Sequence, residues 1–391
     1  MIYRPLTEAD IEAYLALESY AFNINPDRSG LDGPKMARFR GLFAGPTLAT
    51  QLECIPLRVR TGLGEIAAVG IGSVATAPEY RRQGHVATLL RHLVDELRAA
   101  GVTLAILYPF KRSFYGRYGW ATFFERRIYQ GDPALLAGFR LGPGGFVRAS
   151  AAEIPELDRI YRRALHGRFG LLVRDETWWR EQVLHDWERR PWNAYIWRDT
   201  QGQGRSYLVY RLEQHGQGQR LFCREIAACD PESRAQLFAF LAAHQDQVAT
   251  VRFPAPADAP VNLLFPDPLE CGVEPHFMLR LLDVAGAFAG YTYGREARGR
   301  LTLAVRDDWI SANQGVYELV FEHGRCQVRR LADDAPAGLQ CDVRALAQIY
   351  SRYLRPRTAA AFGVLDVVER ADLELLEQAF AGLAPFCSDF F

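Results

Sequence analysis

The segment from residue 72 to residue 87 constrains the fold more than any other part of this chain. A short apolar run there ends at Pro78, a basic turn with Arg81, Arg82 and Gly84 follows, and a periodic helix begins at once. Apolar residues recur in the helix at spacings of three and four, which predicts a face buried against a core. They are Val86, Leu89, Leu90, Leu93, Val94 and Leu97.

This strand–turn–helix brings backbone N–H groups, a helix N-terminus and two guanidinium groups to one point. Helix N-termini bind anions, and guanidinium groups match the geometry of phosphate. The segment therefore predicts a pyrophosphate site, and a solvated basic turn stays open as the alternative. The chain has neither Gly-x-x-x-x-Gly-Lys-Ser/Thr nor Gly-x-Gly-x-x-Gly after a strand, so other nucleotide-binding loops are not indicated.

A second element follows the helix. Residues 102–108 are apolar enough for a buried strand, Pro109 breaks the chain, and residues 113–120 read Ser-Phe-Tyr-Gly-Arg-Tyr-Gly-Trp. Together the two elements resemble the GNAT superfamily of acetyl-CoA N-acyltransferases, which pair an Arg-x-x-Gly loop with a later Phe-Tyr-x-x-x-Gly-aromatic motif. The matching residues are Arg81, Gly84, Phe114, Tyr115, Gly119 and Trp120.

One departure from the GNAT pattern narrows the resemblance. Val86 stands where GNAT loops usually carry Gly or Ala, and Eis-like N-acetyltransferases have leucine or similar residues there. The Eis-like motif Tyr-Gly-Arg-Phe-Gly-Tyr is also close to residues 115–120. The chain is thus similar to Eis-like proteins in these motifs. A weaker resemblance extends over the rest of the chain, as far as its last residue.

A diverged repeat indicates how the chain is organised. Residues 2–5 and a capping box open the chain, and residues 146–150 open a second unit in the same way after a Gly/Pro-rich linker. The second unit repeats the strand–helix–strand order, but Asp230 and Glu232 stand where the first unit has its basic pair. We interpret it as a degenerate copy kept for packing; an unrelated α+β domain stays open.

The resemblance implies an α/β fold class with mixed sheets and three domains. These are a catalytic GNAT domain (1–145), a degenerate GNAT-like domain (146–281) and a sterol-carrier-like α+β domain (282–391) that supplies the C-terminus. It also implies a homo-oligomer, a hexamer by family.

Composition excludes several classes of partner. Among 391 residues, 46 Lys and Arg balance 46 Asp and Glu, so no net field favours nucleic acid or an anionic membrane. No apolar run approaches the roughly 20 residues of a membrane span, and residues 1–8 do not resemble a signal peptide. No cluster of Cys or His has metal-ligand spacing. We expect a soluble, cytoplasmic protein without a metal, whose partner is a small-molecule amine.

The resemblance also assigns roles to residues. The strand end would pair with pantetheine amides of acetyl-CoA, and the loop would bind the pyrophosphate. The expected cofactor-binding residues are Val74, Ala75, Thr76, Arg81, Arg82, Gln83, Gly84, His85, Val86 and Ala87. Tyr115 would protonate the departing thiolate. By itself, Tyr115 fits an ordinary core aromatic equally well.

The proton acceptor is less obvious from the residues. In Eis-like enzymes a C-terminal phenylalanine carboxylate has this role, and an acid one residue earlier helps to bind cationic amines. This chain also ends in phenylalanine, so the resemblance makes the Phe391 carboxylate the expected proton acceptor. Phe390 replaces the acid, and Asp389 precedes it. We interpret Glu18 and Asp27 as solvated, with a contribution to the acceptor cleft left open.

The leading hypothesis is an acetyl-CoA-dependent N-acetyltransferase acting on aminoglycoside, polyamine or lysine-type amines. One alternative keeps the fold but uses another acyl-CoA or a peptide N-terminus. The other is a non-enzymatic lipid or sterol binder working through the third domain.

Overall fold

A computed structural model describes residues 1–186, 189–216 and 218–391 of the chain. The first part of the chain alternates strands with four helices. The strands are β1 (Ile2–Pro5), β2 (Phe39–Ala44), β3 (Thr47–Thr61), β4 (Glu65–Thr76), β5 (Leu104–Leu107), β6 (Ala121–Thr122) and β7 (Glu125–Gly131). The helices are α1 (Ile11–Phe22), α2 (Gly33–Met36), α3 (His85–Ala99) and α4 (Arg112–Gly116).

The middle part repeats this order with different lengths. Its strands are β8 (Gly145–Arg148), β9 (Phe169–Leu172), β10 (Asn193–Arg198), β11 (Gly204–His215), β12 (Gly218–Ala228), β13 (Thr250–Pro256), β14 (Glu270–Pro275) and β15 (Met278–Leu281). Its helices are α5 (Ile154–Ala164), α6 (Glu176–Trp178) and α7 (Pro231–Ala242). A π-helical turn, Trp179–Val183, continues α6.

The last part forms a smaller sheet with helices. Its strands are β16 (Gly299–Arg306), β17 (Gly315–Glu322), β18 (Arg325–Arg330), β19 (Leu339–Asp342) and β20 (Leu365–Val367). Its helices are α8 (Val284–Gly290), α9 (Val343–Tyr350), α10 (Pro356–Ala361) and α11 (Arg370–Ala379). The hairpin expected from alternating Leu and Val residues is β16–β17.

Two of the three sheets exchange strands. The first runs β1-β2-β3-β4-β5-β15-β6, with β9 also paired to β3; the second runs β14-β7-β13-β12-β11-β10-β8 and the third β18-β17-β16-β19-β20. Hence β7 of the first part lies in the second sheet, whereas β9 and β15 of the middle part lie in the first, β15 between β5 and β6. The division at residues 145 and 281 remains a prediction, since it separates stretches of sequence rather than complete sheets.

The expected α3 is present with the expected buried face. Leu89, Leu90, Leu93 and Val94 are all buried in one apolar cluster, where α3 packs on β2, β3 and β4. A second apolar cluster joins the other face of the first sheet to the third part, because it contains both Ile106 of β5 and Tyr350 of α9. The parallel pairs β4–β5, β12–β13 and β16–β19 and the antiparallel pairs around them confirm the mixed sheets expected from the sequence.

Candidate active site

The two parallel strands at the centre of the first sheet separate at their carboxyl ends. β4 pairs with β5 only as far as Ile71, opposite Leu107, and then continues to Thr76. Among the described residues, the main chain of residues 72–76 has no strand partner on that side. Such a gap can pair with the amide groups of an extended ligand.

A bulge in β4 lies at the start of this gap. The register with β3 shifts between Gln51 and Glu53, and Ser73 has φ 48°, which is uncommon outside glycine. The side chains of Gln51 and Ser73 each donate a 2.8 Å hydrogen bond to Glu18. Glu18 is buried, so our interpretation of it as solvated was wrong, and burial raises its pKa to about 7.

The turn after β4 presents a row of free main-chain amides. In the described chain, the N–H groups of residues 82–87 donate to no other group, and the first bond of α3 is from Thr88 N to Gly84 O (3.1 Å). Arg82 and Gly84 have φ values of 61° and 79°. Positive φ values of this kind turn successive amides toward one side and form an anion-binding concavity.

The side chains of the same turn are exposed and available. Arg81 Nε donates to the carbonyl of Thr76 (3.3 Å), and its guanidinium lies 5.3 Å from the centre of the Tyr20 ring. Gln83 Nε2 donates to the main-chain carbonyl of Glu79, four residues earlier (2.8 Å). The structure therefore brings the two predicted groups, residues 74–76 and 81–87, together at one end of the sheet.

Tyr115 lies beside the gap on α4. Its side chain packs in the apolar cluster that holds Ile71 and Val74, and only 2% of the residue is exposed. Its hydroxyl has no hydrogen-bond partner in the part of the chain that the structure describes. Burial raises the pKa of Tyr115, so the hydroxyl holds its proton at neutral pH.

Phe391 approaches the same strand from the other face. A Cβ built on Gly70 would lie 2.7 Å from the Phe391 ring, and one built on Gly72 would lie 3.9 Å from the Phe391 main-chain carbon. The ring stacks on Phe277 at 4.8 Å between centres. Because strand residues alternate between faces, Phe391 and Tyr115 flank the end of β4 from opposite sides.

A cavity of about 720 Å³ opens beside Phe391, between the first and second sheets. Its aromatic wall includes Trp178, Trp192 and Phe390. Cations and anions are nearly balanced in the lining. The cations are Lys35, Arg38, Arg126, Arg190, Arg211 and Arg224, and the anions are Glu53, Asp175, Glu181, Asp186 and Asp389.

His276 lines this cavity and was not expected from the sequence. The residue is buried, its ring stacks on Phe124 at 5.3 Å, and its Nδ1 has no partner among the described residues. Burial, with the charges of Arg126 and Arg112, lowers the pKa of His276 to about 2, so the ring is neutral. Asp27, in contrast, is exposed and pairs with Arg189 at 3.0 Å.

Comparison with known proteins identifies the family. Residues 2–123 and 170–281 match two family models that are both described as acetyltransferase (GNAT) domains. The chain belongs to the GNAT superfamily. Residues 284–388 match a sterol carrier protein domain, as expected for the third part.

Relatives of this GNAT chain include Eis proteins. An N-acetyltransferase of Streptomyces griseus, named as uncharacterized, is 26% identical over 92% of this chain and 90% of its own. The N-acetyltransferase Eis of Mycobacterium bovis is 23% identical over 84% of this chain and 82% of its own. The crystal structure of Eis1 from Mycobacterium abscessus has the same fold, with a TM-score of 0.79, 22% identity and 100% of both chains covered. The chain is therefore an Eis-like acyltransferase.

The two GNAT domains differ at the turn that follows their central strand. In the second domain, Asp230 caps α7: its carboxylate accepts a hydrogen bond from Ser233 N (2.8 Å) and pairs with Arg205 (2.7 Å). In the second domain the Asp230 carboxylate thus lies at the start of the helix, whereas the corresponding amides of the first domain, those of residues 82–87, have no acceptor in the described chain. GNAT domains use acetyl-CoA as co-substrate, and the free amides lie in the first domain.

Two further features of the described residues concern metals and membranes. In residues 1–186, 189–216 and 218–391, no three His, Cys, Asp or Glu side chains are grouped as ligands for a metal. Nor is any described helix long and apolar enough to span a membrane. Aromatic rings fill the interior of the sterol-carrier-like domain; they include Phe288, Tyr291, Tyr293, Phe321, Tyr350 and Phe380.

Proposed function

We propose that this chain transfers the acetyl group of acetyl-CoA to the nitrogen of an amine. The observation that carries the proposal is the gap beyond Ile71, which leads directly to the free amides of residues 82–87. In this proposal the pantetheine amides pair with residues 74–76, and the pyrophosphate binds the free amides with Arg81 and Arg82.

Acetyl transfer needs three groups at the end of β4: a donor for the oxyanion, an acid for the thiolate and a base for the amine. The amine nitrogen attacks the thioester carbonyl, the C–N bond forms, and the C–S bond breaks as the tetrahedral oxyanion collapses. A free N–H beside the Ser73 bulge stabilises the oxyanion, and Tyr115 gives its proton to the departing thiolate. The amine loses its proton to the main-chain carboxylate of Phe391, which lies next to Gly72.

The role of Phe391 requires that the polypeptide end at this residue. The intact mass of the purified protein checks this requirement before any kinetic test. The carboxylate of Asp389 is already engaged within the protein. It accepts hydrogen bonds from Arg174 Nε and Trp178 Nε1 (3.0 and 2.7 Å).

The charges that line the cavity help to decide which class of amine it can accept. A polycation such as an aminoglycoside or a polyamine needs an excess of carboxylates, whereas six cationic side chains face five anionic ones in this lining. Lys35 and Glu53 also neutralise each other at 2.5 Å. Of the three acceptor classes expected from the sequence, we therefore favour lysine-type amines, which carry one amine and neutral or anionic groups.

An acceptor screen tests the proposal directly. Purified protein with acetyl-CoA is offered polyamines, aminoglycosides, lysine peptides and amino acids, and release of the free thiol is followed. We expect turnover with at least one amine and a higher kcat/KM for lysine-type than for polycationic acceptors. Absence of thiol release with every amine, together with a melting temperature that acetyl-CoA does not raise, would contradict the proposal.

The alternative of a lipid or sterol carrier has less support. Several aromatic rings are buried inside the sterol-carrier-like domain, where a lipid would have to displace them. A carrier also has no use for the free amides of residues 82–87. We further propose that the chain divides into domains of residues 1–145, 146–281 and 282–391. We also propose a hexameric assembly, which sedimentation analysis of the purified protein checks.

A further inference from the structure

A buried ion cluster links the second GNAT domain to the tail of the chain. Arg174 Nη1 and Nη2 donate to the two oxygens of Glu225 at 3.0 and 2.6 Å, and Arg174 Nε donates to Asp389 at 3.0 Å. The three side chains are at most 1% exposed. The cluster lies outside the residues to which we have assigned catalysis.

Aromatic rings and hydroxyls complete the environment of Arg174. Its guanidinium lies 3.9 Å from the centre of the Tyr161 ring and 4.5 Å from that of Trp179. Tyr207 donates a short hydrogen bond to Glu225, and Arg174 Nη2 also donates to Ser388 Oγ at 3.1 Å. Every N–H-bearing nitrogen of this guanidinium therefore has an acceptor, which fixes its orientation.

A buried ion cluster of this kind adds little to the free energy of unfolding by itself. Removing charges from water costs about as much as their attraction returns, so buried ion pairs are weak evidence for a stabilising role. They do fix geometry, because the N–H groups of a guanidinium donate to their partners in one plane. The geometry fixed here is that of Ser388 and Asp389.

The tail is thus held at two points close to its end. Asp389 is fixed by Arg174 and by Trp178 Nε1, and the Phe391 ring is stacked on Phe277 against Gly70. Only Phe390 separates the two fixed residues. The main-chain end of Phe391 is therefore located relative to Gly72 by contacts from both GNAT domains.

We propose that Arg174, oriented by Glu225, is a positioning residue that holds the end of the chain for acetyl transfer. The second GNAT domain then acts as a clamp for the tail rather than as an anion site. This inference rests on the proposed function of Phe391.

The variant Asp389→Asn removes the charge at the point where the tail is held. We expect kcat to fall about 10²-fold, the usual cost of displacing a reacting group by about 1 Å, while the KM for acetyl-CoA stays within about twofold. The control is Asp307→Asn, which breaks a different buried pair, Arg280–Asp307 at 2.6 Å, away from the tail. The control should lower the melting temperature and leave kcat at the wild-type value.

A second measurement does not depend on activity. Carboxypeptidase should release Phe391 and Phe390 faster from Asp389→Asn than from the wild-type protein or from Asp307→Asn. If Asp389→Asn does not fold, Arg174→Lys replaces it, since lysine keeps the charge but loses the planar fork. Arg174→Lys is then expected to lower kcat with an unchanged KM.

The outcomes separate the two proposals. A wild-type protein that transfers no acetyl group contradicts the proposed function, and the carboxypeptidase comparison still tests the clamp. An active wild type with normal kcat in the Asp389 and Arg174 variants overturns the clamp, as do equal release rates. An equal loss of kcat in Asp307→Asn assigns the effect to general destabilisation and overturns it as well.

Discussion

At the scale of single residues, burial decides what the reacting groups can do. Tyr115 is enclosed by rings, with Phe114 5.2 Å and Phe110 5.5 Å from it between centres, and its hydroxyl is left without a protein partner among the described residues. In the proposed reaction, this hydroxyl gains a partner only when charge develops on the departing thiolate. The ground state gains nothing from it.

The first prediction concerns this hydroxyl. Tyr115→Phe should lower kcat by about 10²-fold, the usual contribution of a positioned acid, and leave the affinity for acetyl-CoA nearly unchanged. Steady-state kinetics and calorimetry measure the two quantities. Tyr118→Phe is the matched control, because Tyr118 is also a nearly buried ring that packs on Phe114. Full activity in Tyr115→Phe would remove this residue from the mechanism.

The second prediction follows from the raised pKa of Glu18. Between its ordinary pKa of 4.5 and its folded value of about 7, the folded state binds more protons than the unfolded state. The ionised group therefore costs stability progressively as pH rises through this window, and the full cost is present above it. Glu18→Gln should raise the free energy of unfolding by a few kcal/mol at pH 8 and by much less at pH 5.

Urea titrations of wild-type protein and Glu18→Gln at the two pH values check this second prediction. Glu53→Gln serves for comparison, because Glu53 lies nearby but is paired with Lys35 at 2.5 Å. An equal effect of Glu18→Gln at pH 5 and pH 8 would show that the carboxyl is not desolvated as the structure indicates.

At the scale of elements, the turn before α3 is encoded by neighbouring residues, whereas the surroundings of Glu18 and His276 come from distant parts of the chain. The amphipathic period, the glycine and the arginines all lie within a short stretch, so the local sequence is enough to predict the turn and the buried face of α3. The anion site at this turn stays a prediction. Glu18 is different, since its partners Gln51 and Ser73 come from two other strands. His276 likewise is buried by residues distant in the chain, such as Phe124. Neither environment is encoded near the residue itself.

The third prediction tests the turn. Arg81→Ala combined with Arg82→Ala should weaken acetyl-CoA binding by a factor of ten or more, since a hydrogen bond to a charged group contributes about 1.5–3 kcal/mol. Calorimetry should also find one site per chain, because Asp230 occupies the corresponding turn of the second domain. The control is Arg234→Ala, an exposed arginine in the first turns of α7. Two sites per chain, or unchanged affinity in the double variant, would contradict the prediction.

At the scale of the whole molecule, the exchange of β7 and β15 makes the two GNAT domains interdependent. The sequence predicts the repeat and the individual strands, but pairing between distant strands depends on the assembled fold. β15 pairs with β5 on one side and β6 on the other, and its residues Met278, Leu279 and Leu281 are buried. Residues 1–145 therefore contain all the predicted coenzyme contacts without a complete sheet.

The fourth prediction is that residues 1–145 do not fold alone. Without β15 the fragment loses three buried apolar side chains, each worth about 1.5–3 kcal/mol, which approaches the whole stability of a domain. Circular dichroism should show no cooperative melting, and co-expression with residues 146–391 should restore acetyl-CoA binding. A fragment that melts cooperatively and binds acetyl-CoA by itself would show that the exchanged strand is dispensable.

The fifth prediction concerns the end of the chain, where all three domains meet. The tail leaves the third domain, is held by Arg174 of the second, and ends beside Gly72 of the first. One glycine added after Phe391 moves the carboxylate by up to about 3.5 Å, and misplacement on this scale costs orders of magnitude in rate. We expect kcat to collapse while acetyl-CoA affinity and the melting temperature change little. The same glycine added before the exposed Met1 is the control. An extended protein that acetylates its amine at the wild-type rate would exclude the Phe391 carboxylate as the proton acceptor.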